Sequence, residues 1–214
     1  MSSSSPDAYL AGDSIVEVDH PAVRGLGREL RAGDDEVEFA RRAFEWVRDN
    51  VAHPYDARDS RVTLRASEVL EQRVGLCYAK SHLLAAVLRG EGIPTALCYQ
   101  RLTRGDGHVL HGLVAVYLDD AWHRQDPRGN RVDISAEFSL GEERLAFPVD
   151  PRLGEVDYPG LYRRPARSIV DALSKATDIL AVYDGGLPSG LMDARAIRPS
   201  DCGLRGHPYS STVD

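Results

Sequence analysis

The hydrophobic period of this chain changes at Gly92-Ile93-Pro94, and that change limits the fold more than any other feature. Before it, Leu76, Ala79, Leu83, Ala86 and Val87 recur at helical spacing, which predicts a helix from Leu76 to Gly90 or Gly92. Pro94 prevents its resumption, because proline lacks the N–H and clashes with the preceding turn. After it come three strand-like segments, 95–103, 109–118 and 121–126. Gly105-Asp106-Gly107 and Asp119-Asp120 supply the turns between them. A helix followed by antiparallel strands predicts an α+β fold with that helix packed on the sheet.

The flanking segments read less sharply. Asp34 and Asp35 offer an N-cap, and Val37, Ala40, Phe44, Val47 and Val51 form a helical stripe with its end at Asn50. Residues 53–61 read as a loop, and Ser67 as the cap of a short helix over 68–73 that Gly75 ends. Residues 14–18 read as a short strand, and the polar, Ser-rich residues 1–13 as a flexible tail. Residues 166–182 read as one helix with Ile169, Leu173, Ala176 and Ile179 or Leu180 inward. The last thirty residues, rich in Gly and Pro, are expected to wrap the surface. The division expected is a core over 14–134 and a C-terminal extension, 135–214, packed on the same domain.

Charge removes some function classes. The 214 residues hold 26 Lys+Arg against 33 Asp+Glu, with no run of five or six like charges, so the basic stripe of a nucleic-acid binder is missing. No apolar run approaches the roughly 20 residues of a membrane helix, and the start lacks the pattern of a signal peptide. No membrane partner is therefore expected, and the cytoplasm is the expected location. The three cysteines, Cys77, Cys98 and Cys202, are an odd count that reads as free thiols in a reducing compartment. Cys202 and His207 lack the further ligands of a zinc site, so no metal and no cofactor is expected.

The chemistry concentrates between Val74 and Asn130. Cys77 falls in the first turn of its helix, where unpaired N–H groups and positive potential favour a thiolate and could hold an oxyanion. Gly75 would let the chain turn tightly into the helix. A nucleophilic cysteine needs a base, and strand parity supplies His111. If Leu118 faces Ala121 across the Asp119-Asp120 turn, Leu113 faces Asp126, and His111 lies one diagonal step away on the same face. Asp126 would then fix the imidazole tautomer and leave the other ring nitrogen to the thiol. Gln72, Tyr78 and Trp122 are candidate substrate contacts. His82, five residues beyond Cys77 on the helix, points elsewhere.

Gly75-Leu76-Cys77, Leu83-Leu84, Leu88-Arg89, Gly92-Ile93-Pro94, His111, Trp122 and Asp126-Pro127, in this order, resemble the transglutaminase-like superfamily and its microbial members in particular. The resemblance implies a papain-like α+β fold and a Cys-His-Asp triad that transfers acyl groups through a thioester. By position, Cys77 would be the nucleophile, His111 the base and Asp126 its orienter. The implied partners are an amide- or peptide-containing substrate and an amine acceptor, or water for hydrolysis. Leu-Cys-Tyr stands where animal crosslinking enzymes have Gln-Cys-Trp, and no dense acidic loop is present to bind calcium. The competing reading is a non-catalytic or redox-regulated binding module of the same fold. The sequence leaves the oligomeric state open.

Overall fold

A computed structural model describes residues 5–33 and 35–191. Asp34, Cys202, His207 and residues 192–214 of the Gly- and Pro-rich stretch therefore lie outside the described residues. The class is α+β. Its centre is helix α5 (Cys77–Gly90), in which every residue from Cys77 to Arg89 is buried. A helix buried all round needs cover on every side. Helices α1 (Pro21–Leu30), α2 (Glu36–Asn50) and α4 (Ala66–Gln72) pack against it, and so do strands β1 (Thr95–Arg104) and β2 (Gly107–Leu118). Strands β3 (Ala121–Gln125) and β4 (Val156–Asp157) complete an antiparallel sheet in the order β3-β2-β1-β4.

The strand register is the one parity predicts. Leu118 faces Ala121 and Val114 faces Gln125, with Asp119 and Asp120 both left-handed (φ 50° and 60°) in the turn. Two central residues at positive φ match the right-handed twist of a hairpin. The first turn is tighter than expected: Arg104 pairs with Gly107, so only Gly105 and Asp106 lie between the strands. The two faces of the sheet bury different clusters. Leu97, Tyr99, Leu110, Val114 and Val116 join the α5 side. Ala96, Cys98, Leu113, Ala115 and Trp122 form a smaller cluster on the far side.

Several local expectations are corrected. Residues 14–18 form no strand, because the Asp13 carboxylate accepts the N–H groups of Ile15 and Val16 and bends the chain. Pro6–Tyr9 forms a 3₁₀ turn, with Tyr9 fully buried edge-on to Trp122. Helix α4 starts before Ser67: Arg65 is the N-cap, and Glu68 accepts from the N–H groups of Leu64 and Arg65. The left-handed residue that ends α4 is Arg73 (φ 55°), not Gly75. Gly75 answers to space instead, since a Cβ there would lie 3.2 Å from both Ala79 Cβ and Thr63 Oγ1. Within 53–61, Pro54–Ala57 forms one helical turn, α3. The expected helix over 166–182 is split into α6 (Arg167–Ser174) and α7 (Ile179–Ala181), because Asp178 caps a new start at Leu180 and Ala181.

The polar residues of α5 hydrogen-bond to backbone carbonyls. Ser81 Oγ donates to Cys77, a His82 ring nitrogen meets Leu64 O, and Arg89 donates to Thr95, Ala11 and Arg163. Lys80, fully buried, donates from Nζ to the carbonyls of Arg48, Val51 and Arg128 at 3.0, 2.5 and 3.0 Å. It thus ties α5 to the end of α2 and to the loop after β3. Lys80→Met leaves these carbonyls without their donor and is expected to cost about 2–4 kcal/mol of unfolding free energy in a urea titration. A loss under about 1 kcal/mol would show that the carbonyls find other partners.

Candidate active site

Cys77 is the first residue of α5. Leu76, at the N-cap, makes no side-chain cap, so the first-turn N–H groups keep their positive potential. The approach to the helix is fixed by a short parallel bridge, in which Ala52 N donates to Arg73 O and Gly75 N to Ala52 O. On the other side stands β2. The Gly112 N–H points at Cys77 Sγ at 3.4 Å. A Cβ at Gly112 would lie 2.7 Å from Tyr78 Cδ1 and 3.1 Å from Tyr78 Cα, so only glycine lets the helix start come this close to the strand.

His111 precedes that glycine. Its Nε2 lies 2.7 Å from Asp126 Oδ2, which leaves Nδ1 for the thiol. Asp126 is fully buried and also accepts from the N–H groups of Arg128 and Ala146, both at 3.1 Å. Burial pushes the Asp126 carboxyl up, but the His111 charge and these hydrogen bonds win and hold it below its ordinary value. For His111, burial alone would favour the neutral ring. The Asp126 charge, the Cys77 sulfur and hydrogen bonding to both outweigh burial and raise His111 to about 10. Phe147 stands edge-on to the imidazole at 5.1 Å and covers it.

The cleft beside Cys77 has a volume of about 260 Å³. Leu76, Leu102, Val109 and Leu110 give it apolar walls, and His53, His111 and Arg128 add polar groups. Tyr183 and Leu187 close another side. Their segment is pinned where Tyr183 stacks on Tyr55 at 4.5 Å and under Arg104 at 3.8 Å, and where Leu110 N donates to Pro188 O.

The structure therefore brings Cys77, His111 and Asp126 together. Tyr78 also lines the cleft, with its hydroxyl donating to the Leu110 carbonyl. Trp122 and Gln72 are not among the cleft-lining residues. Trp122 pairs with Tyr117 and packs against Tyr9 in the far-side cluster, because its place on β3 turns it away from α5. Gln72 closes α4, and the next residues, not its side chain, lead to the cleft. His82 points away from it, as expected. Cys98 is a buried strand residue whose thiol burial pushes up to about 12. Among the described residues, no group of three His, Cys, Asp or Glu side chains could hold a metal ion.

Residues 24–127 match the family model of the transglutaminase-like superfamily. This segment belongs to that superfamily. Its members are typically cysteine enzymes. No curated protein matches the chain. Among solved structures, it is similar to a Cytophaga hutchinsonii protein named as a candidate cysteine protease (16% identity, TM-score 0.47, covering 56% of this chain and 40% of that one). It is also similar to the arylamine N-acetyltransferase of Mycobacterium abscessus (19%, 0.42, 59% and 49%). A third is a TGase (18%, 0.38, 56% and 35%). The chain thus spans less than half the length of each.

Sequence reasoning missed residues that build the cleft: His53 and, beyond the matched segment, Arg128 and Phe147, together with Gly112, which brings the strand up to Cys77. A glycine inside an apolar strand next to His111 was the available signal for close approach at Gly112. Because folding raises the His111 pKa, its ion pair stabilises the fold fully below the ordinary value of 6.5 and is lost as pH rises through about 10. An NMR titration of the His111 ring is expected to show a midpoint near that value. In Asp126→Asn the midpoint is expected below about 8, and an unchanged midpoint would remove Asp126 as the cause.

Proposed function

We propose that the protein is a cysteine enzyme that transfers an acyl group from an amide or peptide carbonyl, with Cys77 as nucleophile, His111 as acid and base, and Asp126 as orienter. The observation that carries this reading is the buried His111–Asp126 contact at 2.7 Å beside Cys77 at an uncapped helix start. The thiolate attacks the acyl carbon, and the carbonyl electrons move to oxygen, where the first-turn N–H groups hold the oxyanion. As the C–N bond breaks, the His111 imidazolium protonates the departing amine, leaving a thioester on Cys77 and a neutral ring. Water or a second amine then attacks the thioester and gives its proton to His111, and the thiolate leaves. Water as acceptor makes the reaction a hydrolysis, and an amine makes it a transamidation.

The cleft supports a substrate with an apolar acyl flank, since Leu76, Leu102, Val109, Leu110, Leu187 and Phe147 line it. Tyr78 supports substrate by shape, because its hydroxyl is already engaged with the Leu110 carbonyl. No helix among the described residues is long and apolar enough to cross a membrane. A reducing compartment such as the cytoplasm would keep the Cys77 thiol available.

Site-resolved alkylation with iodoacetamide, read by mass spectrometry across pH, tests this reading. Cys77 is expected to react at neutral pH at least about a hundredfold faster than Cys98. In His111→Ala, the Cys77 rate near pH 7 is expected to fall about tenfold. If Cys77 is as inert as Cys98 in both proteins, the reactive ion pair is absent and the acyl-transfer reading fails.

A further inference from the structure

His53 is a second imidazole in the cleft that holds Cys77 and His111. The parallel bridge of Ala52 with Val74 sets it beside the chain entering α5, and Pro54 follows it at the start of α3. The ring is only 7% exposed and stands edge-on to Tyr183 at 5.9 Å. Its Nδ1 is buried and has no hydrogen-bond partner among the described residues. The nearest carboxylate oxygen, Asp56 Oδ2, is 4.0 Å away, and Asp56 is already held by Arg128 at 2.7 and 3.2 Å and by Arg131 at 3.1 Å. Nε2 makes no hydrogen bond among the described residues and is not enclosed as Nδ1 is, which leaves it open to a ligand in the cleft that His53 lines. A buried imidazole without a partner loses hydration and gains nothing in return within the free protein.

We infer that His53 is a catalytic residue of this site, donating a hydrogen bond from Nε2 to the acyl oxygen as Cys77 attacks. The inference rests on the acyl-transfer reading above. Burial, followed by the charges of Arg128, Lys80 and His111, pushes His53 down to about 3 against the opposing pull of Asp56, so the ring is neutral at working pH. A neutral imidazole polarises a carbonyl without giving up its proton. Nδ1 makes no hydrogen bond that would pin the proton there, so a bound oxyanion selects the Nε2–H tautomer. During attack, the carbonyl π electrons move to oxygen and Nε2–H binds the charge. When the tetrahedral intermediate collapses, those electrons re-form C=O, and the departing amine takes its proton from His111. His53 ends the step unchanged.

The test compares two reactions of the same sulfur in the full chain. Acetylation of Cys77 by p-nitrophenyl acetate builds an oxyanion, whereas alkylation by iodoacetamide is a displacement at carbon that builds none. In His53→Phe, acetylation is expected to slow about a hundredfold, while alkylation stays within about threefold of wild type. His53→Gln, which restores an N–H donor, is expected to recover at least about tenfold of the lost acetylation. Wild-type acetylation in His53→Phe would overturn the proposal. So would an equal fall of both reactions in both variants, which would mark His53 as a packing residue. If wild-type Cys77 resists both reagents, the acyl-transfer reading itself fails and takes this proposal with it.

Discussion

The burial of α5 on every side governs this structure. A helix that carries Lys80, Ser81, His82 and Arg89 within one run cannot be buried by apolar packing alone. Each of these side chains meets backbone carbonyls of other segments or of the helix itself. The carbonyls lie at the end of α2, in the segment before α4, at the start of β1 and in the loop after β3. The polar groups that make burial costly therefore also join the surrounding elements to one axis. Cys77 inherits that rigidity, because it is the end of this helix that opens to the cleft.

The reactive groups meet where two hydrophobic clusters adjoin. Cys77 and Tyr78 belong to the cluster on the α5 side of the sheet, while Leu113, Ala115 and Trp122 fill the far side. Strict alternation points His111 away from the face of Leu110 and Gly112. The thiol reaches it because Gly112 removes the side chain that would hold the helix off the strand. Asp126 lies just beyond β3, where the chain is free to bend and the N–H groups of Arg128 and Ala146 can turn toward its carboxylate. The Asp126-Pro127 step ends the ladder at the point where a carboxylate is wanted.

This division explains what the sequence made legible. Period and parity act within neighbouring segments, so the α5 stripe, the hairpin register and the His111–Asp126 diagonal could be read directly. Helix α1 escaped, since Gly25 and Gly27 interrupt the stripe of Val23 and Leu26 and weaken the local signal. Trp122 shows the opposite failure: its register was right, but the face it occupies is covered by Tyr9, more than a hundred residues earlier in the chain. Gly75 was chosen for space rather than for turning, a distinction set by Thr63 and Ala79 in three dimensions. His53 carried no spacing cue at all, because its place depends on a bridge between Ala52 and Val74.

The two cleft histidines show how environment alone divides one residue type into two charge states. Both are buried, and burial by itself pushes each toward the neutral ring. His111 escapes because Asp126 is in contact at 2.7 Å and, among the described residues, has no cation paired to it other than His111. His53 does not, because Asp56 stands 4.0 Å off and its charge is spent on Arg128 and Arg131. Arg128 connects the two outcomes: its backbone N–H supports Asp126, while its guanidinium neutralises Asp56 and repels a proton from His53. A cleft with two imidazolium rings would oppose binding of a leaving ammonium, and a cleft with none could not protonate the leaving amine. One charged and one neutral ring beside a single thiol is the arrangement in which proton transfer and carbonyl polarisation are assigned to different groups.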